Sequence, residues 1–529
     1  MTKVAIGLSV LASLAFAASM SSAHAQTLTP QRGGTLVMVL SQDPPTINPN
    51  VTNGVPDKLM SCMIYQGMVD IGGGYKAKPR LAKTWSISPD GLTYSFDLIE
   101  ANWQDGKPFT SEDVKYTLQE VSAKYSSVFA AGGRAMESIE TPAKDKVIIK
   151  LKQPFGPFML SMACEQGGAI LPSHLYRGTD PVRNATTLTD PVGTGPFKLA
   201  DWKRGNYLKL VRNPTYYEKD RPYLDEIIAK VITQPAARMQ ALQAGEVDLV
   251  STFPASSIDL VKSDPKLKIE PGEYPPASNF LMYNIKNKPY DDKRVRHALL
   301  MATDRDFLIK NVFFNHGEQG LRPFNSWVTW PLNTDVDYRK TYPFDVAKAN
   351  ALLDAAGLKR GSDGKRFTVK MVVFQTEYIE LTQAAVALKS MWSNVGVDVN
   401  IEALESAALT KRVFVDRDFD ITMVGYTTFS DPALGISRAY VTSSIGQLYG
   451  NPTNYSNPKV DELFDLGEKA TTQDERARFY REAQTILADD LPAFIIRDYS
   501  QIDAASKKLQ NMWGDARGDG RYGEAWFMK

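Results

Sequence analysis

Strand-like and amphipathic helical segments alternate along almost the whole chain, and that alternation restricts it to sheets covered by helices. β-branched and aromatic runs read as strands at Thr35–Leu40, Thr93–Leu98, Val147–Leu151, Phe280–Ile285, Thr368–Phe374, Val397–Ile401 and Asp420–Val424. Helical patterns lie between them. Thr110, followed by Glu112 and Asp113, sets a hydroxyl cap and early carboxylates at a helix start. Pro343–Leu358 reads as one helix stopped near Gly357, and a helix over Leu381–Asn394 runs straight into Gly396 and a strand. A helix is also expected over Asp291–Met301. Such β-α-β order gives an α/β fold in which sheets pack beneath helices. Pro-rich breaks fall at Pro271–Pro276 and Pro323–Pro331, and the first is the better boundary between two halves.

The N-terminus restricts the compartment. Lys3 precedes an uncharged apolar run from Val4 to about Met20, and Ala23-His24-Ala25 supplies the small-x-small pattern of a signal-peptidase site. Residues 1–25 are therefore expected to be a signal peptide cleaved after Ala25, which places the chain in the periplasm. No Cys lies near that point to carry a lipid. The roughly 500 residues that remain are enough for two or three cores. Without Lys3 the chain holds as many basic as acidic residues, since the full sequence has 61 and 60. No basic stripe stands out, which gives no support to nucleic-acid or anionic-membrane binding. The mature protein is expected to be soluble and monomeric.

Cys62 and Cys164 are the only cysteines. In an oxidising compartment they can form one disulfide, or they can be two buried thiols; the spacing leaves both open. Beyond the leader only His174, His297 and His316 remain, none at metal-ligand spacing. There is no Gly-x-Ser-x-Gly elbow, phosphate loop or dinucleotide fingerprint, and Asp515–Gly520 lacks the ligands of a calcium loop. Neither an enzyme nor a metal or cofactor is expected. The eight Trp, 23 Tyr and 23 Phe suit core packing and, for some, the walls of a cleft.

An ordered set of segments resembles one family. Leu81-Ala82-Lys83-Thr84-Trp85-Ser86-Ile87-Ser88-Pro89-Asp90-Gly91-Leu92-Thr93-Tyr94-Ser95-Phe96-Asp97-Leu98 continues into Trp103-Gln104-Asp105-Gly106-Lys107-Pro108-Phe109-Thr110. Val192-Gly193-Thr194-Gly195-Pro196-Phe197, Asp292-Lys293-Arg294-Val295-Arg296-His297-Ala298-Leu299, Ala347–Leu353 and Tyr455-Ser456-Asn457-Pro458 follow in order. Together they resemble the extracellular solute-binding proteins of family 5, the peptide- and nickel-type receptors of ABC importers. The resemblance implies a two-lobed binding-protein fold with a hinge. Lobe I would run over 26–276 with an inserted subdomain at about 80–190, and lobe II over 277–497. The tail 498–529 would return to lobe I, and crossovers near 275–285 and 492–500 would form the hinge. The ligand would bridge the lobes, and permease subunits with cytoplasmic ATPases would be the partners.

The resemblance also nominates contacts. Members that bind dipeptides hold the two termini with an Asp and an Arg, and counting from Pro432 and from Val395-Gly396 puts neutral Thr428 and Gln375 at those places. Asp431 either meets an ammonium or caps the turn after Pro432. Arg438 either meets an anionic ligand or pairs at the surface. Tyr426 is the expected cleft wall. Tyr283 and Asn284 are either contacts or hinge structure, and Thr46 and Asn48 lie in a loop resembling one that lines the cleft. The expected ligand is a peptide or peptide-like solute, opine-type amino-acid conjugates included. An oligosaccharide or nickel chelate is the alternative within the family, and a secreted hydrolase the alternative of another class.

Overall fold

The computed structural model describes residues 29–528, apart from 53–54, 73–75, 127, 252, 272–275, 376–378, 428–430, 448, 513–515 and 518–521. The signal peptide, its cleavage point and Thr428 lie outside the described residues.

Two large sheets organise the chain. The first has seven strands in the spatial order Leu267–Pro271, Ile502–Ser506, Leu249–Ser251, Thr35–Leu40, Glu226–Val231, Tyr207–Arg212 and Phe197–Lys203. The second has six: Glu318–Gln319, Ala493–Tyr499, Ala277–Tyr283, Ile421–Thr427, Phe367–Phe374 and Val397–Leu404. A separate four-stranded antiparallel sheet holds Ala82–Ile87, Thr93–Leu98, Lys146–Leu151 and Met136–Ala143. The chain passes from the first large sheet to the second between Pro271 and Ala277, and returns between Tyr499 and Ile502. The strand after that return lies between Leu249–Ser251 and Leu267–Pro271, antiparallel to both. Tyr522 and Ala525 are buried in the first sheet's core.

Local chemistry accounts for the helix boundaries. The 343–358 helix is shorter than expected, running only over Val346–Ala355, because the Asp345 side chain accepts the Lys348 N–H and so caps it three residues later. The helix expected at 291 begins at Lys293, where the Asp292 carboxylate accepts the Arg294 N–H. Asn457 caps Pro458–Lys469 from just before its proline. At Ser111–Tyr116 the Asp113 carboxylate reaches back to the Thr110 N–H at 2.9 Å and takes the Ser173 N–H at 3.0 Å.

Much of the family-like sequence holds this frame together. A Cβ at Gly193 would fall on the Ile64 carbonyl oxygen, and one at Gly195 would crowd the Met63 and Ile64 carbonyls, so only glycine fits. The Gln104 side chain locks the same turn, donating to the Phe197 carbonyl at 2.7 Å and accepting the Gly193 N–H at 3.2 Å. Arg296 is spent on the carbonyls of Tyr290, Asp490 and Leu491. Cys62 and Cys164 are joined in a disulfide across 102 residues, in the first sheet's core beside the Gly67–Ala169 bridge.

Away from the crossings, described residues of the two halves also touch. Leu434, from the half built on the second sheet, is buried in the cluster holding Phe96, Phe155 and Phe158, and the Gly156 N–H donates to the Glu468 carbonyl at 2.9 Å. Elsewhere the Ala255 N–H meets Glu380 Oε1 at 3.4 Å.

Candidate ligand site where the sheets meet

Both crossing strands, Ala277–Tyr283 and Ala493–Tyr499, are buried at every residue. A strand covered on both faces ordinarily reads as unbroken apolar sequence, yet these carry Ser278, Asn279, Arg497 and Asp498. All four cluster at the end nearest the first sheet. The carboxyl ends of Phe367–Phe374, Val397–Leu404 and Ile421–Thr427 lie at the same end, the place where open α/β sheets accept ligands.

Register decides which polar groups meet. Asn279 pairs with Arg497 on one side and Gly425 on the other, while Ser278 pairs with Asp498 and Tyr426. The two-residue period therefore sends Asn279, Gly425, Arg497 and Tyr499 to one face, and Ser278, Tyr426 and Asp498 to the other. On the second face Asp498 is fully buried, accepts from Ser278 Oγ at 2.6 Å and from the Ser326 N–H at 3.0 Å, and is pushed up to about 6 by desolvation.

The first face is different. Arg497 is 4% exposed, its guanidinium stacked 4.1 Å from both the Phe313 and Tyr499 ring centroids. Its Nε donates to Asn279 Oδ1 at 2.9 Å, but its Nη1 and Asn279 Nδ2 are buried without a hydrogen-bond partner. Burial lowers the Arg497 pKa. Gly425 is exposed although Val424 and Tyr426 beside it are buried, so a notch opens above it. A Cβ there would lie 3.7 Å from Asn279 Nδ2 and 3.9 Å from the Tyr499 hydroxyl. Glu380, on the first turn of Ile379–Ser393, is close enough to act electrostatically on Arg497, Tyr499 and His316. His316, held down to about 4 by burial and then by the Arg497 charge, is neutral and lies 2.9 Å from the Ser500 carbonyl through Nε2.

Most residues nominated from sequence lie elsewhere or are already engaged. Both oxygens of Asp431 are taken by the Arg476 guanidinium at 2.6 and 2.7 Å, and Oδ1 also accepts the Ala433 N–H, so no lone carboxylate waits for an ammonium. Tyr283 is fully buried, its hydroxyl on the Arg296 carbonyl at 3.3 Å. Asn284 is tied to the carbonyls of Arg417 and Phe419 and to Asn454. These two lie at the end of Ala277–Tyr283 remote from the crossing, roughly 20 Å along the strand. Thr46 Oγ1 donates to the Thr187 carbonyl at 3.0 Å, and Asn48 Nδ2 to Tyr176 and Thr187, pinning that loop. Tyr426 is 2% exposed, its hydroxyl donating to the Gly450 carbonyl at 2.6 Å and its ring packed against Phe280. Arg438 is half-buried over the Tyr426 ring, with Nε lacking a hydrogen bond. Gln375 is exposed just past the end of Phe367–Phe374, at the ligand-accepting end of the sheet.

Asn279, Gly425, Arg497 and Tyr499 were not foreseen. Their signal was available, since Ser-Asn and Arg-Asp stand inside otherwise apolar strands. Among the described residues no group of three or more His, Cys, Asp and Glu could hold a metal, and no helix is long and apolar enough to cross a membrane.

Residues 76–447 match the middle region of the bacterial extracellular solute-binding proteins, family 5, and the chain belongs to that family. A Brucella ovis protein named as an ABC transporter peptide-binding protein is 28% identical over 451 residues, covering 84% of this chain and 83% of its own. The oligopeptide-binding protein AppA of Bacillus subtilis is 27% identical over 490 residues, covering 90% and 88%. The AppA structure in complex with a nonapeptide superposes with a TM-score of 0.80 at 26% identity, covering 95% of this chain and all of AppA. The two sheets are accordingly the cores of the two lobes of a periplasmic-binding-protein fold.

Proposed function

We propose that the chain is the receptor of an ABC importer that captures peptides or peptide-like solutes in the periplasm, after removal of residues 1–25, and presents them to the permease. The observation that carries this is the full-length likeness to AppA, solved with a nonapeptide, together with unpaired donors at the junction of the lobes. A ligand lodged there touches both lobes only when they are closed, so binding shifts the population from open to closed without any chemistry on the ligand. The linkers 272–276 and 500–501 are short enough to act as hinges. Native mass spectrometry of protein purified without denaturation tests the reading. A retained mass identified as a peptide or amino-acid conjugate, lost on unfolding and refolding, is the expected result; a retained oligosaccharide would overturn it.

A further inference from the structure

Three buried arginines of this protein have their guanidinia engaged by acceptors. Arg80 is paired with Asp70 and Glu218, Arg305 is shared among the carbonyls of Gly320, Tyr338 and Tyr342, and Arg476 is paired with Asp431. Arg497 is as deeply buried, yet among the described residues it meets only Asn279 and the Tyr499 hydroxyl, and its Nη1 has no hydrogen-bond partner. Unpaired buried donors are costly, and Arg80, Arg305 and Arg476 show that this fold can supply a buried guanidinium with acceptors, so the open Nη1 of Arg497 asks for one.

We propose that Arg497 and Asn279 form a clamp for a single carboxylate group of the transported solute, reached through the notch above Gly425. The proposal rests on the receptor reading above and names the chemistry that the receptor selects. Phe313 and Tyr499 fix the guanidinium plane between them, and the bond from Nε to Asn279 Oδ1 fixes the amide so that Nδ2 borders the notch. Both unpaired groups donate, so the missing partner is an acceptor, and the guanidinium favours an anionic one. A carboxylate has two oxygens for the two donors. Glu380, within electrostatic reach, weighs against a multiply charged anion such as phosphate. Gly425 is a specificity element: any side chain there would fill the space the carboxylate needs.

Calorimetry with the purified full-length protein and three probe sets tests this: a library of free-acid peptides of two to nine residues, the same peptides as C-terminal amides, and N-carboxyalkyl amino acids with their amides. Free acids in the first or third set should bind and their amides should bind about a hundredfold more weakly. Arg497→Met should abolish the preference for acid over amide. Arg497→Lys should restore part of it. Gly425→Ala, whose methyl meets nothing closer than ordinary contact, should weaken binding about tenfold or more with the apo melting temperature unchanged. Equal binding of acids and amides, or wild-type binding by both Arg497→Met and Gly425→Ala, overturns the clamp while leaving the receptor reading intact. No binding from any set overturns the peptide-type reading and the clamp with it.

Discussion

Arg476 and Arg497 are buried to a similar depth in the same lobe and are surrounded by aromatic rings, but they are opposites in bonding. Arg476 is closed on every side: a bidentate pair to Asp431, its Nε on the Gly467 carbonyl, and the Tyr480 hydroxyl at 3.2 Å. Among the described residues Arg497 has only neutral hydrogen-bonding neighbours, Asn279 and the Tyr499 hydroxyl. Desolvation works against both charges, but at Arg476 the Asp431 carboxylate outweighs it, whereas at Arg497 nothing does. A buried charge with its counter-ion in place is architecture. One without it is held ready for a group that comes from outside.

Removing Asp431 should separate the two most sharply. Asp431→Ala leaves the Arg476 charge buried and unpaired, and should cost about 3–5 kcal/mol in urea unfolding, while the acid-over-amide preference persists in whatever protein remains folded. A loss under about 1 kcal/mol would erase the contrast. Asp498 should give a smaller and pH-dependent effect. Its pKa is raised to about 6 in the folded state, above the ordinary carboxylate value, so the native state holds a proton that the unfolded chain has already released. Its contribution is therefore full below pH ~4 and falls away as pH rises to ~6. Asp498→Asn should flatten the stability profile across that window by about 2–3 kcal/mol, read from paired denaturant titrations. The smallest effect belongs to Arg497 itself. Arg497→Met removes an uncompensated charge and keeps the apolar bulk between Phe313 and Tyr499, so apo stability should stay within about 1 kcal/mol of wild type by the same titration. A loss of 3 kcal/mol or more would put Arg497 in the same class as Arg476.

Thr35–Leu40 and Thr93–Leu98 were legible to the residue, because apolar alternation is a local property. Ala277–Tyr283 was legible only from Phe280 onward, since the Ser-Asn pair at its start looks like loop chemistry until the neighbouring strands are known. The disulfide was out of reach for a related reason: 102 residues separate the cysteines, and the Gly67–Ala169 bridge that brings their segments together is a tertiary fact. The candidate contacts were read by counting along loops from family landmarks, which led to Gln375, just past the carboxyl end of Phe367–Phe374, and to Asp431, whose partner Arg476 lies 45 positions away. Arg497 and Asn279 are 218 positions apart, and only strand pairing makes them neighbours.

The strand Ile502–Ser506 lies inside the first sheet, between strands from residues 249–251 and 267–271. Two neighbours of the earlier-made lobe therefore cannot join until almost the last residues of the chain exist. The second lobe, with all six of its strands between 277 and 499, suffers no such delay. The half made first is finished last. A chain made from its N-terminus thus leaves its leading half unlocked until residues 502–506 exist, and loss of that strand should injure the lobe farthest from it in sequence.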